Sequence, residues 1–281
     1  MRTDGIRNAL TIDVEDYFHV SAFATRIDRR LWDALPGRVD RDVDAILDIL
    51  DEHGARATFF VLGWVAERYP SLVRSIVARG HELASHGYWH ERATLQSRAA
   101  FTQDVTRARR ILEDTAGVPV KGYRAPSFSI GAGNWWALDC LEEAGYRYSS
   151  SIYPIRHDHY GMPEAPRFAF HPAAHAGLLE LPVTTARLCG ANFPAGGGGY
   201  FRLLPYRLSR WCLKRVNQRE HQPCVFYFHP WEMDAKQPRV AGIDAKTRFR
   251  HYVNIGCMDR RIRALCADFV WDRIDRVFPG L

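Results

Sequence analysis

Apolar positions along the chain follow two rhythms that take turns. The run Asn8-Ala9-Leu10-Thr11-Ile12 is short, apolar and β-branched, as a buried strand is, and it delivers Asp13-Val14-Glu15-Asp16 at its C-terminal end. Over 41–53 the apolar positions Val43, Ile46, Leu47 and Leu50 fall at helical spacing until Gly54 closes the pattern. Ala57-Thr58-Phe59-Phe60-Val61-Leu62 is continuous and apolar, which predicts a strand covered on both faces. Helical stretches follow at 65–69, stopped by Pro70, and at 71–79, capped by Gly80. A short strand is expected over 81–85, with His86 at or beyond its end. Further alternation predicts a helix over 101–115, a strand over 120–123 leading into Arg124-Ala125-Pro126, a helix over 135–144 and a strand over 146–150. So many strand and helix units in turn imply a parallel sheet, and favour a closed or nearly closed barrel over an open sheet. Function in such barrels gathers at the C-terminal ends of strands, where Asp13, His86 and Arg124 all fall.

The pattern loosens over 154–194, where Pro163, Pro166, Pro172 and Pro182 interrupt it and only 178–183 reads clearly as a strand. Ala195-Gly196-Gly197-Gly198-Gly199-Tyr200 reads as a flexible loop; no Lys-Ser/Thr pair follows to make it a phosphate cradle. An amphipathic helix is expected over 205–216. Cys224-Val225-Phe226-Tyr227-Phe228 is a buried strand that ends on His229-Pro230-Trp231-Glu232, so a second strand-end histidine reaches the same face. The tail adds a charged helix over 258–266 and a strand-like 268–271.

Composition narrows the picture. The 281 residues, 47% hydrophobic and 25% charged, suit a soluble globular chain of one large domain or two small ones. No apolar run approaches the roughly 20 residues that span a bilayer, and the opening stretch is too short for a signal peptide. The expected location is the cytoplasm. Cys140, Cys189, Cys212, Cys224, Cys257 and Cys266 are scattered without a close pair, so they read as reduced and mostly buried. The net charge of +6 comes largely from arginines such as Arg107, Arg109 and Arg110, or Arg260, Arg261 and Arg263. They alternate with apolar residues at helical spacing, which favours solvated helix faces over nucleic-acid binding.

Candidate chemistry centres on Ser85-His86-Gly87-Tyr88-Trp89-His90. Imidazoles four positions apart can aim at one divalent metal, and a third ligand must then come from elsewhere. Asp13, Glu15 and Asp16 are the carboxylates within reach. A strand end does not collect negative charge without a compensating cation, unless the acids serve to cap the segment that follows. In strand geometry Asp13 and Glu15 share a face and Asp16 takes the other.

In order, Thr11-Ile12-Asp13, Ser85-His86-Gly87-Tyr88-Trp89-His90, Arg124-Ala125-Pro126, Leu179-Glu180-Leu181-Pro182 and Phe226-Tyr227-Phe228-His229 resemble the polysaccharide deacetylases of carbohydrate esterase family 4. Asp13-Val14-Glu15-Asp16-Tyr17-Phe18 and Ile155-Arg156-His157-Asp158-His159-Tyr160-Gly161 are similar to a subgroup found with exosortase and exopolysaccharide gene clusters. The resemblance implies an α/β fold, a distorted, seven-stranded (β/α) barrel, as one catalytic domain over 1–281. Its core would cover 8–230, with a C-terminal extension at 231–281 packed on it. One divalent metal, usually zinc, is implied, together with an N-acetylated glycan substrate and a biosynthetic complex near the membrane, with oligomeric state open.

By the same resemblance, Asp13 matches the catalytic base, His86 and His90 the metal histidines, Arg124 the residue that holds the base, and His229 the general acid. Most relatives have two adjacent aspartates in the first motif, but Val14 stands in the second place here. The metal carboxylate is then Glu15 or Asp16, and the shared face favours Glu15. The acid that orients the catalytic histidine is not recognisable, and Asp158 is the candidate. Tyr17, Phe18, Trp89, Phe128 and Trp231 are either sugar-stacking aromatics or core. The implied activity is removal of N-acetyl groups from an amino sugar. The competing readings are cyclic-amide hydrolysis on the same barrel, favoured by a small closed pocket, and a non-catalytic glycan-binding protein.

Overall fold

The structure, a computed structural model, describes residues 5–172 and 177–281. Its centre is β1 (Arg7–Val14), buried after Arg7. In chain order there follow α1 (Val39–Glu52), β2 (Thr58–Val61), α2 (Gly63–Arg68), α3 (Pro70–Ala78), β3 (Glu82–Ser85), α4 (Arg98–Ala116), β4 (Gly122–Tyr123), α5 (Trp136–Glu143), β5 (Tyr148–Ser149) and β6 (Leu179–Glu180). The second half adds β7 (Thr185–Leu188), β8 (Ala191–Pro194), α6 (Gly198–Leu203), α7 (Tyr206–Glu220), β9 (Val225–Phe228), α8 (Ala245–Tyr252), α9 (Met258–Asp268) and β10 (Val270–Asp272).

Strands β1 to β6 pair in sequence, all parallel, and β9 pairs with β1 as a seventh parallel strand. The sheet curls into a half-barrel, which is the distorted (β/α) barrel expected, with a seam left open. At its open seam Val225 N–H donates to Thr184 Oγ1 at 2.7 Å, and Thr184 N–H donates to the Val225 carbonyl at 3.2 Å. These bonds draw the chain after β6 against β9. The C-terminal segment is built into the sheet as well, because β10 pairs with Arg7, Asn8 and Ala9 of β1, ahead of the residues that pair with β2.

Alternation along the strands decides what faces the barrel interior. Leu10, Ile12 and Val14 join Phe59, Val61 and Leu83 in the large core beneath the helices. The intervening Ala9 joins Phe60, Ala84, Tyr148, Leu181 and Val225 in a smaller inner cluster. Asp13 has the parity of Ala9 and stands opposite Phe60, so its carboxylate faces the interior at the strand's C-terminal end.

Two expectations are corrected. The glycine run at 195–200 is not a flexible loop: Gly198 begins α6, and the run presses onto its neighbours. A Cβ on Gly196 would stand 2.3 Å from Val183 Cγ1, and one on Gly197 only 1.9 Å from the Tyr227 carbonyl oxygen. Glycine is required there for close approach, and freedom of motion has no part in it. The loose stretch at 154–194 also hides an antiparallel hairpin, β7 with β8, whose second strand ends in Pro194.

Candidate active site

A cavity of about 430 Å³ opens at the C-terminal ends of the strands, and Asp13, Glu15, His86, His90, His229 and Trp231 all contribute to its wall. A larger depression of about 870 Å³ runs along α4 beside Arg98, Thr102 and Arg107, but no carboxylate or histidine lines it.

Asp13 is fixed from below. Arg124, fully buried at the end of β4, donates through Nη1 to Asp13 Oδ1 at 2.7 Å and to Thr11 Oγ1 at 2.7 Å. Its Nε and Nη2 donate to the Ser150 carbonyl and Ser150 Oγ, at 3.0 and 2.8 Å. Held by these four bonds, the guanidinium sets one orientation for Asp13.

The strand does not continue through Glu15. Glu15 N–H donates back to the Asp13 carbonyl at 3.0 Å, a tight turn that still leaves the Glu15 side chain on the cavity side. Glu15 Oε2 lies 2.7 Å from His90 Nε2, and Oε1 accepts from Trp231 Nε1 at 3.2 Å. Asp16 faces elsewhere. It caps the short helical turn Tyr17–His19, and its oxygens accept from the backbone N–H groups of Tyr17, Arg38 and Val39.

His86 N–H at Nδ1 donates to the Arg124 carbonyl at 2.8 Å, since a carbonyl can only accept. That bond fixes the tautomer and leaves Nε2 as the free lone pair. Burial brings the His86 pKa down to about 4, so the ring is neutral, as a metal ligand must be. His90 holds a backbone φ of +52°, rare for a residue with a side chain and a form of strain that clusters at working sites.

One ligand atom each from Glu15, His86 and His90 lies within 4.8 Å of the others. Glu15 Oε2 is buried against His90 Nε2, and His90 Nδ1 is buried with no hydrogen-bond partner. Burial works against the Glu15 charge, yet the His90 and His229 charges prevail and hold its carboxyl well below the usual range. A buried carboxylate and two imidazoles with ligand atoms this close together, and His90 Nδ1 left unpartnered, fit a divalent cation.

His229 stands opposite. Its Nε2 is 3.3 Å from Glu15 Oε1 and 3.9 Å from Asp13 Oδ2. Burial lowers its pKa, but Glu15 and then Glu232 outweigh that and raise it to about 9, so the ring carries a proton at neutral pH. Its Nδ1 lies 3.2 Å from Glu232 Oε2. The Asp158 assignment is therefore corrected: Asp158 is partly exposed and pairs with Lys246 and Arg250, while fully buried Glu232 occupies the place against His229. Reading the sequence missed Glu232, although an acid three residues after a strand-end histidine is a capping-box spacing. It also missed Arg202, which has no local signal. Among the five aromatics, Phe128 and Trp231 line the cavity, Tyr17 and Phe18 are core, and Trp89 is partly buried beside a separate hollow at Arg29 and Arg107.

Residues 31–149 match the family description "Polysaccharide deacetylase", and residues 150–279 match a "Domain of unknown function (DUF3473)". The fold is the polysaccharide deacetylase barrel. A solved Mycobacterium smegmatis structure assigned to the polysaccharide deacetylases superposes with a TM-score of 0.62 at 22% identity, covering 99% of this chain and 91% of that one. The chain is 35% identical over 81 residues to a peptidoglycan-N-acetylglucosamine deacetylase of Bacillus cereus, and 38% identical over 82 residues to a chitooligosaccharide deacetylase of Sinorhizobium fredii. Each match covers 29% of this chain, and 30% and 38% of those relatives. The chain thus spans about a third of the length of the curated relatives it matches. Among the described residues, no helix is long and apolar enough to cross a membrane.

Proposed function

We propose that the chain is a metal-dependent hydrolase that removes N-acetyl groups from an amino sugar in a polysaccharide or its precursor. One observation carries the reading: a held carboxylate, a three-residue metal set and a protonated histidine converge on one cavity. Glu15, His86 and His90 would hold the cation, and zinc suits two imidazoles and a carboxylate. When bound, such an ion supplies Lewis acidity and lowers the pKa of its water from 15.7 toward about 7.

The chain's own groups account for the proton movements. Arg124 occupies Asp13 Oδ1, which leaves Oδ2 facing the cavity to take a proton from the attacking water. His229 Nε2 faces the same space and delivers a proton to the departing nitrogen. The water oxygen adds to the acyl carbon, the C–N bond breaks, and acetate and a free amine are left.

The relatives' substrates, peptidoglycan N-acetylglucosamine and chitooligosaccharides, support an N-acetylated glycan. The motifs at 13–18 and 155–161 support a role in exopolysaccharide biosynthesis, near a membrane-associated complex. The six cysteines, scattered without a close-spaced pair, suit a reducing compartment such as the cytoplasm. The test is to incubate the metal-loaded protein with acetylated chitooligosaccharides and with cyclic ureides. Acetate release supports the proposal; ring opening alone would favour the cyclic-amide reading, and neither would favour a binding protein.

A further inference from the structure

Two of the residues that the second half of the chain contributes to the cavity wall, His229 and Trp231, lead away from it through buried residues. Glu232 accepts from His229 N–H at 3.0 Å as well as lying against its Nδ1. The other Glu232 oxygen accepts from Arg202 Nε at 2.6 Å, and both residues are buried. Arg202 Nη1 donates to the carbonyls of His251 and Val253 at 2.7 and 2.9 Å, and Nη2 to that of Arg250 at 3.0 Å. These lie at the C-terminal end of α8, where helix carbonyls lack partners and the dipole is negative, so a guanidinium satisfies both needs. The Arg202 carbonyl is held in turn by Asn254 Nδ2 at 2.9 Å and Arg261 Nη1 at 3.0 Å.

The second path is a stack of rings. Trp231 lies over His229 with centroids 5.0 Å apart and planes at 20°, and His251 lies over Trp231 at 4.3 Å and 13°. His251 Nε2 meets Gln237 Oε1 at 2.7 Å, which fixes its ring. Trp231 also donates to Glu15, so the stack reaches the metal set and the acid together.

We propose that residues 231–261, with Arg202, form a positioning clamp on the active site: Arg202 and α8 hold Glu232, and Glu232 holds His229 with Nε2 aimed into the cavity. The role of His229 in turnover rests on the deacetylase reading; the geometry of the clamp does not. Glu232 and Arg202 are positioning residues, because they act through His229. An ionised Glu232 fits this arrangement: burial opposes its charge, but Arg202 and then His229 bring its pKa down to about 2.

The test uses the full metal-loaded chain with Glu232→Gln, which preserves shape, and Arg202→Lys, which keeps the charge but loses the planar fork. For Glu232→Gln the expected result is kcat about 10- to 100-fold lower, with KM within about twofold and metal content unchanged. Arg202→Lys should fall between it and the parent. Because breaking a buried pair can unfold the chain, the double variant Arg202→Met with Glu232→Met removes both charges and serves if either single variant fails to melt cooperatively. Ring-nitrogen NMR of His229 gives a readout independent of activity. Nδ1 should be protonated and hydrogen-bonded in the parent, and that signature should be lost in the double variant, which leaves no acceptor at position 232. Turnover within twofold of the parent in a folded variant, or an unchanged His229 spectrum in the double variant, would overturn the clamp. If the parent releases no acetate, the deacetylase reading falls and the spectrum still decides the clamp.

Discussion

Glu15, His86 and His90 follow the ends of β1 and β3, so the sheet itself places the wall proposed here to hold the metal. His229 also ends a strand, but its ring is held by Glu232, Arg202 and carbonyls at the end of α8, all from the second half of the chain. One wall is a product of strand register. The other depends on buried polar links between distant segments, the kind that weaken as a unit when one member is removed. The two walls should therefore fail differently.

The largest contrast is expected between the histidines. His86→Ala and His90→Ala should each lose most bound metal together with activity, whereas His229→Ala should keep its metal and lose about 10²- to 10⁴-fold in turnover. Elemental analysis beside steady-state kinetics checks this. Equal metal loss in all three would erase the distinction between the walls.

A smaller contrast lies within the acidic cluster. Glu15→Ala should weaken metal binding by about 100-fold or more, while Asp16→Ala should leave affinity nearly intact and reduce stability by about 2 kcal/mol through its lost backbone bonds. Metal titration and thermal melts of both variants separate the outcomes. Full affinity in Glu15→Ala with collapse in Asp16→Ala would reverse the assignment. Trp231→Phe keeps the ring stack but removes the N–H donated to Glu15, and should weaken metal binding by about 10-fold. That variant shows how far the second half supports the metal wall.

How much of this was legible beforehand differs between the same two regions. Strand ends bearing Asp13, His86, Arg124 and His229 stand out because apolar runs lead straight into polar residues. The turn at Glu15 does not, since its cause is a backbone bond to Asp13 that no side-chain pattern encodes. Asp158 was the visible acid near a histidine-rich motif, yet surface cations hold it. Glu232 was passed over although it lies three residues from His229. Arg202 lies just after a glycine run whose meaning was close packing, and its partners lie 30 to 51 residues away, beyond any local rhythm. Hairpin β7–β8 was hidden because prolines around it suggested irregular chain.

A further effect, on stability alone, lies at the opposite end of β3 from His86. Glu82 begins β3, accepts from Thr58 Oγ1 at 2.6 Å and Tyr148 Oη at 2.9 Å, and burial followed by Asp275 raises its pKa from 4.5 to about 7. A raised carboxyl contributes its full stability below pH 4.5 and loses it as pH climbs through 7. The parent should therefore lose up to roughly 3 kcal/mol across that window from this group, and Glu82→Gln should flatten that part of the profile. Denaturant melts from pH 4.5 to 7.5 measure it; parallel profiles would mean Glu82 is ionised throughout.

The central claim, that both walls act on one N-acetyl group, is tested most directly by counting products. The metal-loaded chain, given an N-acetylated chitooligosaccharide, should release acetate and free amine in equal amounts. Chelation should abolish the release, and Asp13→Asn should lower it by about 10²-fold or more while metal stays bound. Acetate release undiminished in metal-loaded Asp13→Asn, or amine absent where acetate appears, would contradict the account.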